Sequence, residues 1–115
     1  MTTDVFCKII RGELPSEVVY KDDDVWVIKD ITPQAPVHLL IITAKHFDGF
    51  DDVAENDQAL LGRLFLVAHN MAKEQKLDKG YRLVINEGEH GGKLVPHFHI
   101  HLLGGKRLGS KIVKD

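Results

Sequence analysis

The chain has 115 residues, 43% of them hydrophobic and 28% charged, with a formal net charge of −2. That length suits one domain able to bury roughly 65% of its unfolded surface without staples. The balance of charge argues against a nucleic-acid backbone binder, no apolar run approaches the ~20 residues of a membrane span, and Met1-Thr2-Thr3-Asp4 lacks the basic and apolar regions of a signal peptide.

The single cysteine, Cys7, cannot form an internal disulfide, which points to a reducing, cytoplasmic setting. Thr3 or Asp4 caps a short helix, Val5 to Arg11, with Phe6, Ile9 and Ile10 on its apolar side. Gly12 ends it and Leu14-Pro15-Ser16 turns the chain. Glu17 to Lys21 and Asp24 to Asp30 read as the two strands of a hairpin, joined at Asp22-Asp23. A proline-punctuated loop, Thr32 to Pro36, follows. His38 to Thr43 is a continuous apolar run, the pattern of a central strand covered on both faces, with His38 at its entry.

The one long helix runs from about Val53 to Lys76. Its apolar stripe is Leu60, Leu61, Leu64, Phe65, Ala68, Met71 and Ala72, with Leu66 and His69 off the stripe. After Gly80, Tyr81 to Asn86 is a strand. Glu87 to Lys93 is a glycine-rich loop of the kind whose backbone N–H groups can form an anion-holding nest. The tail, Lys106 to Asp115, carries Lys106, Arg107, Lys111 and Lys114 and reads as a solvated terminus. The order of elements predicts an α+β domain with an antiparallel sheet of about five strands.

The chemistry concentrates in His97-Phe98-His99-Ile100-His101-Leu102-Leu103. Alternation at the strand period puts His97, His99 and His101 on one face, and Phe98, Ile100 and Leu102 on the other, against a core. Two readings are open. A His-x-His pair can chelate one metal, but the outer two histidines are roughly 13 Å apart along a strand. Further ligands would have to come from His38, His46, His90, Cys7 or Asp4. The other reading is covalent catalysis on phosphorus. There a neutral imidazole is the nucleophile, its second nitrogen is held by an acceptor, and nearby donors stabilise charge on the phosphoryl oxygens. His99, central in the row and beside the glycine-rich loop, is then the nucleophile.

His-Phe-His-Ile-His-Leu-Leu resembles the histidine triad signature, three histidines alternating with apolar residues. Further matches identify the Hint branch of the histidine triad superfamily, in its bacterial form. They are Phe6 to Pro15, Asp30 to His38, Lys79-Gly80-Tyr81-Arg82, Asn86-Glu87-Gly88, Gly91-Gly92 and Gly104-Gly105. The resemblance covers about residues 4 to 109, within a single domain spanning 1–115. It implies an α+β fold with one short and one long helix, and a homodimer that joins two five-stranded sheets into one of ten strands.

The resemblance also implies hydrolysis of purine nucleoside 5′-phosphoramidates, or related nucleotidyl conjugates, through a nucleotidyl-His99 intermediate. The His97 carbonyl would orient His99. His101 and His38 would flank the phosphate and bridging atom. Asp30 would accept from the ribose hydroxyls. Phe6, Ile9, Leu14, Ile28 and Ile31 would form the base slot, and Asn86, Gly92, Leu94 and Val95 would surround the phosphate. The alternative is a nucleotide-binding adaptor with vestigial catalysis.

The chain departs from the family pattern in several places. Leu94 stands where many relatives have a serine whose hydroxyl reaches the leaving group, and only its backbone N–H remains. Pro96 replaces a common tyrosine and removes a backbone donor. The tail lacks the C-terminal tryptophan of eukaryotic relatives. Some bacterial relatives hold structural zinc through a Cys-x-x-Cys pair and two histidines. The corresponding positions here are Asp4, Cys7, His46 and His97, with aspartate in place of one cysteine. The expectation is therefore no metal and no cofactor, with a purine nucleotide as substrate and neither nucleic acid nor membrane as partner.

Overall fold

The computed structural model describes residues 4–109. Thr3, the alternative helix cap, and Lys111 and Lys114 of the tail lie outside the described residues. Asp4 is the cap of the first helix, α1 (Val5–Ile10), accepting from the Cys7 N–H at 2.9 Å. Gly12 closes it in the left-handed conformation (φ +79°), which glycine adopts without steric cost. The strands are β1 (Val18–Lys21), β2 (Val25–Lys29), β3 (Val37–Thr43), β4 (Tyr81–Val84) and β5 (His99–Gly104). All pairings are antiparallel, in the spatial order β1-β2-β3-β5-β4. The β1–β2 turn is built by Asp22, whose carboxylate accepts from the N–H groups of Asp24 and Val25, each at 2.8 Å.

The second helix, α2 (Gln58–Glu74), starts five residues later than the periodicity predicts. Residues 50–57 instead form two single 3₁₀ turns. Asp57 marks the start: its carboxylate accepts from the Ala54 N–H at 2.9 Å, the reciprocal bond of a cap at Ala54, so the helical turns begin after that residue. The buried stripe also differs from the expectation. Val67 is buried with Leu64, Ala68, Met71 and Ala72, whereas Phe65 is 45% exposed and off the core face. Lys76 ends the helix with φ +58°, and the Leu77 N–H bonds back to the Ala72 carbonyl at 3.0 Å.

Helix α2 covers one face of the sheet and α1 the other. Under α2 lie Val25, Val27, Leu39, Ile41, Phe98, Ile100 and Leu102, with Phe47. Under α1 lie Phe6, Ile28, Leu40 and Ile42, with Ile9, Trp26 and Val95 against them. This is why β3 reads as an unbroken apolar run: six of its seven residues are buried, on both faces. Among the described residues no helix is long and apolar enough to cross a membrane.

Candidate active site

Strand β3 is central and β5 is its neighbour, and their register builds the site. His38 pairs with Leu103, Leu40 with His101, and Ile42 with His99. Those residues all face α1, while Ile100 and Leu102 face α2 and are fully buried, as the alternation predicts.

His97 differs from the expectation. The strand starts at His99, and His97 sits in a bend before it. Two causes are visible. Strand β3 ends at Thr43, one residue past the Ile42–His99 pair, and Pro96 has no N–H to give a ladder. The His97 ring takes over that role, its Nε2 donating to the Thr43 carbonyl at 2.7 Å. The His97 ring is fully buried.

The histidines hold one another in defined tautomers. His99 Nδ1 lies 2.6 Å from the His97 carbonyl. A carbonyl only accepts, so Nδ1 carries the proton and Nε2 the lone pair. The Gln34 backbone N–H donates to His38 Nδ1 at 3.0 Å, so His38 has its proton on Nε2. That proton is donated to His101 Nδ1, at 2.9 Å. His101 therefore keeps its N–H on Nε2. The His99 and His101 rings meet edge to face, with centroids 5.1 Å apart. Burial holds the His99 ring below the usual imidazole range against the opposing pull of the His97 carbonyl, and Lys93 and His97 lower it further. Burial, then His99 and His38, push His101 down to about 4. At neutral pH both rings are neutral, His101 offering an Nε2–H donor and His99 an Nε2 lone pair.

Sequence reasoning did not anticipate Gln34 or Thr43, because both act through backbone atoms that no side-chain motif records. The signal for Gln34 was its place in the proline loop, four residues before His38.

Asp30 lies at the mouth of this row. One carboxylate oxygen accepts from the Thr32 N–H at 2.8 Å, and the other is 3.4 Å from His38 Nε2. Of the expected base slot, Phe6, Ile9 and Ile28 are brought together, and Phe6 stands edge-on to His99 with centroids 5.1 Å apart. Leu14 (39% exposed) and Ile31 (92% exposed) are open to solvent and are not part of that buried cluster. Asn86 Nδ2 donates to the Gly91 carbonyl at 2.7 Å, pinning the glycine-rich loop across its neck. Gly92 has φ +77°, and a Cβ on Gly91 would lie 2.1 Å from the Glu87 carbonyl oxygen, so both glycines are required by the turn. Val95 packs beside Phe6, and Leu94 is 93% exposed.

This sheet order and paired histidine relay define a histidine triad domain. The HIT domain profile matches residues 11–108, and the chain belongs to that family. It is 46% identical over 109 residues to the purine nucleoside phosphoramidase of Escherichia coli K12, covering 94% of this chain and 92% of that relative. Among solved structures it resembles a HIT family hydrolase from Clostridium thermocellum, with a TM-score of 0.93 at 43% identity, covering 98% of this chain and 99% of that one. A HIT family hydrolase from Legionella pneumophila gives 0.90 at 44% identity, covering 93% and 96%.

The zinc-type residue set was expected to stay without metal, because aspartate replaces a cysteine. The donors nevertheless converge: one ligand atom each from Asp4, Cys7, His46 and His97, all within 4.8 Å of one another. Carboxylate oxygen, sulfur and two imidazole nitrogens are all donors that zinc accepts, so the set fits such an ion. An ion there would serve structure, because all four positions are filled by protein.

Proposed function

We propose that this chain hydrolyses purine nucleoside 5′-phosphoramidates, or related nucleotidyl conjugates, through a nucleotidyl-His99 intermediate. The observation that carries this is the 2.6 Å bond from His99 Nδ1 to the His97 carbonyl. It leaves the Nε2 lone pair as the nucleophile, next to a ring that offers Nε2–H as a donor. In this reading His99 Nε2 attacks the α-phosphorus in line. His101, held by His38, donates to a phosphoryl oxygen as charge builds there. The P–N bond breaks, and the amine takes its electron pair and a proton from water reaching the open Leu94 side. Water then cleaves the P–N bond to His99 and releases the monophosphate. Asp30 accepts from the ribose hydroxyls and Phe6, Ile9, Leu14, Ile28 and Ile31 hold the base. Asn86, Gly92, Leu94 and Val95 surround the phosphate. The 46% identity to a purine nucleoside phosphoramidase supports the substrate class.

The same reading takes residues 1–115 as one domain acting in the cytoplasm as a homodimer, with no nucleic-acid or membrane partner. In support of the dimer, Phe65, Leu66 and Tyr81 are exposed, by 45%, 63% and 40%, on α2 and on the open sheet edge β4. Light scattering on the purified chain tests that. For the chemistry, His99→Ala is assayed with adenosine 5′-phosphoramidate. The expected result is loss of turnover by about 10³-fold or more with AMP binding retained. Turnover near the wild-type rate would sink the mechanism. AMP binding without turnover in the wild type would favour the adaptor alternative, for which the apolar Leu94 speaks.

A further inference from the structure

The glycine-rich loop carries opposite charges at its two ends, and they meet. Lys93 Nζ stands 3.7 Å from Glu87 Oε1, with the lysine side chain only 12% exposed. Backbone bonds draw the same loop together, from the Lys93 N–H to the Gly88 carbonyl at 3.1 Å and from the Gly92 N–H to the Glu89 carbonyl at 3.0 Å. Glu87 Oε1 is buried and accepts no hydrogen bond from the described residues. A buried carboxylate oxygen in that state is costly unless a cation stands near, and the Lys93 ammonium is that cation.

The pair rests on Gly49, in the loop after β3. Gly49 has φ −179°, extended backbone that any residue adopts, so its conformation does not demand glycine. Space does: a Cβ there would lie 2.1 Å from Glu87 Oε2 and 2.6 Å from Lys93 Nζ. The glycine makes room for the ion pair. The segment around it is tied to the residue before His99. The Phe98 N–H donates to the Phe47 carbonyl at 2.8 Å, and the Phe50 and Phe98 rings meet with centroids 4.8 Å apart. Glu87, Lys93 and Gly49 therefore lock the loop to the stretch that leads into His99. Within the loop Lys93 falls between Gly92 and Leu94, and its positive charge is felt at the His99 ring more than that of its carboxylate partner.

We propose that Lys93 is a specificity-determining residue for the phosphate: Glu87 and Gly49 fix its ammonium at the glycine-rich loop, where it supplies a standing positive charge for an anionic phosphoryl group. The inference rests on the reading above only in placing the α-phosphate over His99. A charge already in place needs no rearrangement when the anion arrives, and partial burial makes it act more strongly than a solvated lysine would. The Glu87 carboxylate keeps the ammonium from swinging into solvent. A neutral nucleoside gains nothing from such a charge, so Lys93 separates ligands that carry a phosphate from those that do not.

The test titrates AMP and adenosine into the full chain by calorimetry, comparing the wild type with Lys93→Gln, Lys93→Arg and a charge-swapped chain carrying Glu87→Lys and Lys93→Glu. Lys93→Gln should weaken AMP about tenfold and adenosine by less than about twofold, and Lys93→Arg should keep most of the AMP affinity. The swapped chain rebuilds an ion pair but turns the charge facing the phosphate negative. Its AMP affinity should fall below that of Lys93→Gln, while adenosine binding and Tm stay near wild type. A pair that serves structure alone would recover AMP binding on swapping. Gly49→Ala pushes the flexible ends of the pair aside and should cost AMP severalfold while sparing adenosine. Equal losses for AMP and adenosine in Lys93→Gln, or wild-type AMP affinity in Lys93→Gln or in the swapped chain, overturns the proposal. These titrations need no turnover. A wild type that binds AMP through Lys93 yet hydrolyses nothing overturns the phosphoramidase reading alone, and an active enzyme whose AMP affinity ignores Lys93 overturns this inference alone.

Discussion

His101→Gln removes a titrating ring and keeps a neutral donor in its place. In the native chain the ring is half-buried and pushed down to about 4 by lost hydration, His99 and His38. In the unfolded chain it titrates near 6.5. As pH falls, the unfolded state takes up the proton first. Stability is therefore full above about pH 6.5, drains between about 6.5 and 4, and levels below. A gap of about 2.5 pH units, at about 1.36 kcal/mol each, sets a ceiling of about 3 kcal/mol. The ring is only half-buried and solvent screens the effect, so about 1 kcal/mol is expected in practice. Urea unfolding at about pH 7 and about pH 4.5 measures it, and the wild type should lose about 1 kcal/mol more than His101→Gln between the two. Groups away from the histidine row titrate alike in both proteins and cancel. Parallel losses would mean that the ring protonates freely in the fold, and its assignment as a neutral donor would fail.

Ile100→Ala deletes a fully buried side chain between β5 and α2 and should cost about 2–5 kcal/mol in urea unfolding; less than about 1 would contradict the packing described. Gly91→Ala pushes a methyl into the Glu87 carbonyl, so the glycine-rich loop must open. Steady-state kinetics should show KM for a nucleoside phosphoramidate up about tenfold, with Tm nearly unchanged because the loop is exposed. Leu94→Ser should raise kcat for poor amine leaving groups more than for good ones and leave stability within about 0.5 kcal/mol, since Leu94 is exposed. Equal effects across a leaving-group series would remove Leu94 from the leaving-group side.

Much of the architecture was legible because two periodicities are clean. Alternation at His99-Ile100-His101-Leu102 and the unbroken run of β3 both follow from which faces are covered. The misreadings arise where tertiary contacts override local pattern. His97 continues the alternation but has no strand to pair with beyond Thr43. Val53 begins an apolar stripe, yet the Asp57 carboxylate caps the Ala54 N–H and sets the start of the helical turns after that residue. The chain also gave reason to discount Asp4, because aspartate is a weaker zinc signal than cysteine. Nothing in a linear reading shows that Asp4 reaches His97, 93 residues away, at 3.1 Å. Nor could the tautomers be read, since they depend on the carbonyls of His97 and Thr43 and the Gln34 N–H.

The strand order has a consequence for how the molecule breathes. His38, His46, His97, His99 and His101 belong to β3, β5 or the segments flanking them, and neither β1 nor β4, the two edges of this chain's sheet, contributes one of these. Edge strands open by local fluctuation at a fraction of the global unfolding free energy, whereas central strands open last. Amide exchange should therefore be slowest at Leu40, Ile41 and Ile100, beside His99, and fastest at the exposed end of β1. Fraying at the β1 edge can come and go within the working life of the molecule while the spacing between His99 and His101 stays set. The histidine row shares the lifetime of the fold itself.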